Sequence, residues 1–96
     1  MVDVVSLSSF VTWLEALPDV TARSRIAKRI ARVELGLMGD VKSVGGGVSE
    51  MRVDHGPGYR IYFTRRGAEI IILLFGGDKG SQARDIVRAQ AMAADL

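Results

Sequence analysis

Apolar residues recur along this chain with two different periods, and the change from one to the other divides it. Phe10, Trp13, Leu14 and Leu17 stand at i, i+3, i+4 and i+7, a spacing that places four side chains on one helical face. Val2 to Ser6 before them reads as a short β-branched strand, Ser8 and Ser9 are candidate N-caps, and Pro18 stops the helix. Asp19 or Thr21 opens a second helix whose apolar stripe is Ile26, Ile30, Val33 and Leu37, ended by Gly36 and Gly39. So short a link predicts an antiparallel helical hairpin.

The period then becomes two. After a short strand over Asp40 to Val44 and a Gly45-Gly46-Gly47 turn, Val48 to Asp54 alternates: Glu50, Arg52 and Asp54 share one face, Met51 and Val53 the other. Tyr59 to Arg66 repeats the alternation, with Tyr59, Ile61 and Phe63 inward and Arg60, Tyr62, Thr64 and Arg66 outward. His55 to Gly58 joins the two strands, and Arg65-Arg66-Gly67 turns the chain into Glu69 to Phe75, an apolar run suited to the middle of a sheet. Gly76-Gly77 is expected to break that strand, and Ser81 to cap a last helix. The expected class is α+β: an N-terminal strand and helical hairpin packed on an antiparallel β-meander, then a C-terminal helix, with the sheet's second face partly open.

Composition narrows this without changing it. Ninety-six residues with 48% hydrophobic and 25% charged content fit one folded domain and one core. With no cysteine, disulfides, thiolate metal sites and a Cys nucleophile drop out. The longest apolar run is far short of the roughly 20 residues that span a bilayer, and the N-terminus lacks signal-peptide character, so a soluble cytoplasmic protein is expected. The scattered acids have no metal-ligand or two-carboxylate spacing, and no Gly-rich stretch forms a nucleotide-cradling loop, so neither metal nor cofactor is expected. His55, the sole histidine, is read as a solvated turn residue.

A net charge of +2 permits a polyanionic partner, and the placement of the cations says more. Arg25, Lys28, Arg29 and Arg32 form a basic stripe on the second helix, about 110° round from its apolar stripe. Two readings fit that stripe: a solvated face, and a surface turned toward phosphates or an acidic partner. In the stretch GPGYRIYFTRRGAEIIILLFGGDKGSQARDI, alternation puts Arg60 and Tyr62 on the face that Arg52 and Glu50 share, and the last loop brings Lys79, Gln82 and Arg84 to its edge. Cations gathered in this way fit an anion. Pairing with Glu50, Asp54, Asp78 and Asp85 in weak surface salt bridges fits them as well.

The strings ELGLMGDVKSVGGGVSEMRVDHGPGYRIYFTRRG and IIILLFGGDKGSQARDI, with FxxWLxxL in the first helix and GDKxxQxxDI near the end, resemble the addiction-module killer proteins. These are HigB-type toxins of the RelE/ParE superfamily in bacterial toxin–antitoxin systems. The resemblance spans essentially the whole chain, as one toxin domain over 1–96, with GDKG where relatives often read GDKS. It implies an endoribonuclease that cuts mRNA, ribosome-dependent or free, without metal or cofactor. The implied partner is a HigA-like helix-turn-helix antitoxin in a higher-order complex. The positions matching the family's basic sheet face are Arg52, Arg60 and Lys79, with Gln82 and Arg84 beside them. Attack by a ribose 2′-OH requires a base, charge stabilisation at phosphorus and a proton for the leaving oxygen. Arg52 and Arg60 suit the charge, Lys79 is the candidate base, which neighbouring cations favour, and Tyr62 is the candidate acid. The superfamily also contains non-nucleolytic gyrase inhibitors, and a catalytically silent antitoxin binder is a third reading; the fold does not choose among them.

Overall fold

In the computed structural model, which describes residues 1–96, strand β1 (Asp3–Ser6) leads into helices α1 (Ser8–Ala16) and α2 (Val20–Glu34). Strands β2 (Val41–Gly45), β3 (Val48–Val53), β4 (Tyr59–Arg66) and β5 (Ile70–Asp78) follow, then a 3₁₀ turn (Lys79–Ser81) and α3 (Gln82–Ala94). The sheet order is β1-β5-β4-β3-β2, antiparallel except that β1 runs parallel to β5. The sheet is therefore mixed, with a meander from β2 to β5 and the N-terminal strand added at its far edge. No helix is long and apolar enough to cross a membrane.

The helix starts differ from expectation in chemistry more than in position. Asp19 caps α2, its carboxylate accepting from the Ala22 N–H at 3.1 Å. Ser8 and Ser9 do not cap α1: Leu7 holds that position, and the Ser9 hydroxyl donates to the Leu74 carbonyl on β5 instead. Ser81 stands at the N-cap of α3, but its hydroxyl donates to the Asp85 carboxylate rather than accepting a helix N–H. Leu37 leaves the apolar stripe because α2 ends at Glu34, and its side chain is exposed. Gly46 and Gly47, with φ of +61° and +76°, supply the two left-handed residues of the tight β2–β3 hairpin.

Alternation sorts the strands into two cores, one on each side of the sheet. On one side Phe10 of α1 and Ala22, Ile26 and Val33 of α2 pack against Met51, Val53, Tyr59, Ile61, Phe63, Ile71 and Leu73. On the other, Ala89 of α3 meets Val48, Tyr62, Ile72, Leu74 and Phe75. A bulge between Tyr62 and Phe63 shifts the β4–β5 register, so the successive residues Leu74 and Phe75 both join this second core. α3 covers the apolar part of the second face and leaves the end with Arg52 and Arg60 partly open, and Tyr62, expected outward, is fully buried under that helix.

Gly76 and Gly77 lie inside β5 and do not end it. A Cβ on Gly76 would run into the Trp13 ring of α1, and one on Gly77 into the Asp85 carboxylate of α3. Glycine here lets a helix approach closely on each side of a continuous strand.

Candidate functional site

The polar part of the α3 face is built on four positions of two paired strands. Arg52 lies directly opposite Arg60, and Glu50 directly opposite Tyr62. Two arginines facing each other across a ladder repel, and the Glu50 carboxylate answers that repulsion. Its Oε1 accepts from Arg52 Nη2 at 3.4 Å and from Arg60 Nη1 at 3.5 Å. Gln82, the first residue of α3, closes the arrangement from above, its Nε2 donating to the two Glu50 oxygens at 3.1 and 3.0 Å. Glu50 is completely buried, while the Arg60 and Arg52 side chains retain 12% and 37% of their exposure.

The arginine contacts are long for charge-assisted hydrogen bonds, which fall near 2.7–2.9 Å. Each guanidinium also keeps a buried Nε–H without a partner. The pair is therefore positioned by Glu50, and the partly exposed Arg52 guanidinium keeps donors that an oxyanion at the depression can meet. Arg52, Arg60 and Lys79 line a depression of about 250 Å³, together with Asp40, Asp54 and Tyr59. Lys79 is held there by its backbone, whose N–H donates to the Gly58 carbonyl at 2.9 Å, and by Asp78, whose carboxylate accepts from Gly80 N–H at 2.8 Å. Lys79, Asp40 and Asp54 form no ion pair, since Glu50 and Asp19 are the only carboxylates in the molecule that do.

Tyr62 sits beneath this surface with a buried hydroxyl that finds no partner. Burial, reinforced by the Asp85 and Glu50 carboxylates and opposed by Arg60, pushes the phenol up to about 12. It stays protonated throughout the physiological range. Asp85, itself buried, is occupied by the Ser81 hydroxyl.

The expected site residues thus separate. Arg52, Arg60, Tyr62 and Gln82 converge around Glu50, and Lys79 joins the two arginines at the depression. Arg84 does not: it is exposed on α3, two residues round from Gln82 and so on the far side of the helix. The expected surface salt bridges with Asp54, Asp78 and Asp85 do not form, and the one acid that does bind the arginines, Glu50, is buried. The sequence placed Glu50 on the arginines' strand face and offered it as a surface partner; its burial and central position it did not show.

The α2 stripe also divides. Arg25, Lys28 and Arg32 are exposed and line a groove of about 510 Å³ with Thr21, Ser24 and Asp54. Arg29 lines it too, but its guanidinium is turned toward the backbone, donating to the carbonyls of Arg52 at 2.6 Å, Met38 at 3.0 Å and Asp40 at 2.9 Å. Burial lowers its pKa from the usual arginine value, an effect that the Asp40 charge opposes. Arg29 is a brace between α2 and the strand that carries Arg52. His55 is likewise not merely solvated: its Nε2 lies 3.0 Å from Asp19 Oδ2, joining the β3–β4 connection to the cap of α2. No group of three His, Asp or Glu side chains gathers where it could hold a metal ion.

Two comparisons bear on this geometry. The model of the phage-derived Gp49-like proteins matches residues 12–93, a span that contains both the arginine site and the α2 groove. An uncharacterized protein of Haemophilus influenzae is 42% identical over 88 residues, which is 92% of this chain and 89% of that protein. The chain belongs to the phage-derived Gp49-like family, a family of RelE/ParE-type toxins.

Proposed function

We propose that residues 1–96 act as one toxin domain of a type II toxin–antitoxin system of the HigB kind. In this reading it is a metal-independent endoribonuclease that cuts mRNA, on the ribosome or free of it, and thereby halts translation and growth. A HigA-like helix-turn-helix antitoxin neutralises it in a higher-order complex. The observation that carries the reading is the Arg52–Arg60 pair, seated on a buried carboxylate, with Lys79 at the same depression.

The arginines grip the non-bridging oxygens of the scissile phosphate, where negative charge grows as the 2′-oxygen bonds to phosphorus and the bond to the 5′-oxygen breaks. Lys79, as the neutral amine, takes the 2′-OH proton; Tyr62, expected as the acid, lies buried under α3 outside the lining of the depression, so the leaving oxygen takes its proton from water. Glu50 and Gln82 are positioning residues that hold the arginines in place. Inducing wild type and Arg60→Ala in cells and mapping RNA 5′ ends tests the reading: new ends and arrested growth are expected from wild type alone. Equal RNA patterns from the two proteins would overturn it.

One observation favours a competitor. The only histidine braces α2 and the Tyr62 hydroxyl is closed off from solvent, an acid/base set that a non-nucleolytic gyrase inhibitor would not need. Blocked supercoiling with intact RNA selects that reading, and harmless expression with tight antitoxin binding selects a silent binding module.

A further inference from the structure

The groove along α2 and the depression at the arginine pair meet at the end of β3: Val53 and Asp54 line both. Arg25, Lys28 and Arg32 point into the groove, exposed and without ion-pair partners. They cover roughly 10 Å of helix axis at 1.5 Å per residue. Thr21 and Ser24 place hydroxyls in the same groove, and hydroxyls serve phosphate oxygens as readily as cations do. Val53 is its one hydrophobic lining residue, so a docking protein segment would find no apolar pocket for an anchor. Arg29 lies in the wall between the two concavities, tying α2 to the Arg52 carbonyl, and so fixes their spacing.

We propose that the α2 groove is a second subsite for the same single-stranded RNA, gripping phosphates that flank the one held by Arg52 and Arg60. This rests on the RNA reading of the arginine site and extends it to substrate length. Arg25, Lys28 and Arg32 are the contacts; Arg29 is the brace and contributes none. Asp54 stands where the strand crosses from one concavity to the other, and its carboxylate repels the phosphates that pass it.

The test is binding of 2′-O-methyl RNA oligonucleotides, which lack the attacking hydroxyl, at two to eight nucleotides in length and at 50 to 200 mM salt. On a single strand each phosphate contact contributes about 0.7 to the slope of log K against log salt. Oligonucleotides long enough to reach the groove are expected to show a slope steeper by about 2 than dinucleotides, for three contacts at that value. Arg25→Ala, Lys28→Ala and Arg32→Ala should each remove about 0.7 of that slope for long oligonucleotides only, a roughly 2- to 3-fold change across the salt range. Asp54 lines both concavities, so Asp54→Asn should tighten long oligonucleotides and dinucleotides alike, a gain that misfolding cannot imitate.

Equal slopes for short and long oligonucleotides, or variants that leave the slope unchanged, overturn the second subsite. So does an acidic peptide whose binding depends on these three cations while that of RNA does not. Groove-dependent binding without any RNA cleavage by wild type would sink the nuclease reading and leave the track standing. Cleavage with groove-independent binding would do the reverse.

Discussion

The two faces of this sheet are made by alternate residues of the same strands, yet they are put to different uses. The face under α1 and α2 is apolar from Met51 to Leu73 and joins both helices in one core. The face under α3 is apolar only toward one end, around Tyr62, Leu74 and Phe75, while the other end holds Glu50, Arg52, Arg60, Gln82 and Asp85. Burial of apolar area stabilises the first without directional demands. The second must satisfy charges in a place where water is excluded, and it leaves two guanidinium N–H groups and a phenol unpartnered. One face is apolar throughout, and the other gives up stability to hold a buried carboxylate between two arginines.

Substitutions should separate the faces by size of effect. Phe63→Ala, fully buried on the apolar face, should cost about 3–5 kcal/mol, which urea unfolding would register as a large fall in midpoint. A loss no greater than that of an exposed residue would deny the first face its role. Glu50→Gln removes the charge that separates two opposed arginines and should cost about 3 kcal/mol. Because Arg52 is partly exposed, an anion should restore part of that loss. Unfolding in sulfate against chloride, compared with wild type, reads the difference.

The Tyr62 phenol gives a smaller effect with a definite sign. Its folded-state value of about 12 lies above the ordinary 10.0, so folding holds the proton more tightly than the unfolded chain does. That stability is complete below pH 10 and is lost as pH rises toward 12, to a total of about 2–3 kcal/mol. Tyr62→Phe should abolish the alkaline slope and, by removing an unsatisfied buried hydroxyl, leave neutral-pH stability unchanged or raised. The same variant separates packing from chemistry: a proton donor would lose about 10²–10⁴-fold in cleavage rate on replacement, whereas a hydroxyl sealed under α3 should leave the rate unchanged.

The smallest effect lies on the acid side. The Ala22 N–H and His55 hold the Asp19 carboxyl below its ordinary 3.8. The stability this gives is present above pH 3.8 and lost as pH falls through the folded-state value. Asp19→Asn should flatten that acid limb in a pH series of thermal melts by lowering stability above pH 3.8 toward the level wild type shows in acid.

Some of the site could be read directly from residue order. A strand's period of two places Glu50, Arg52, Arg60 and Tyr62 on one face wherever the strand goes, and the helix start at Gln82 delivers α3 to that face's edge. Local order misled at Arg29 and Arg84, both on helices. Helical spacing groups Arg29 with Arg25, Lys28 and Arg32, but three carbonyls from elsewhere in the chain draw its guanidinium out of the stripe. Arg84 is near Lys79 and Gln82 in sequence and turned away from them by the helix itself.

Periodicity and the glycine turns by themselves determined the elements, their order, and most of which residues share a side, because each reports how a residue is turned relative to its own neighbours. What lies across from that side is a long-range matter. Only the packing of α3 decided that Tyr62 is inside, that Glu50 is a buried pivot, and that Gly76 and Gly77 continue a strand they were expected to end. The reason is physical: a helix approaching a sheet chooses its line by the small residues and polar partners it meets on both surfaces at once. That joint condition is written in no single stretch of the chain.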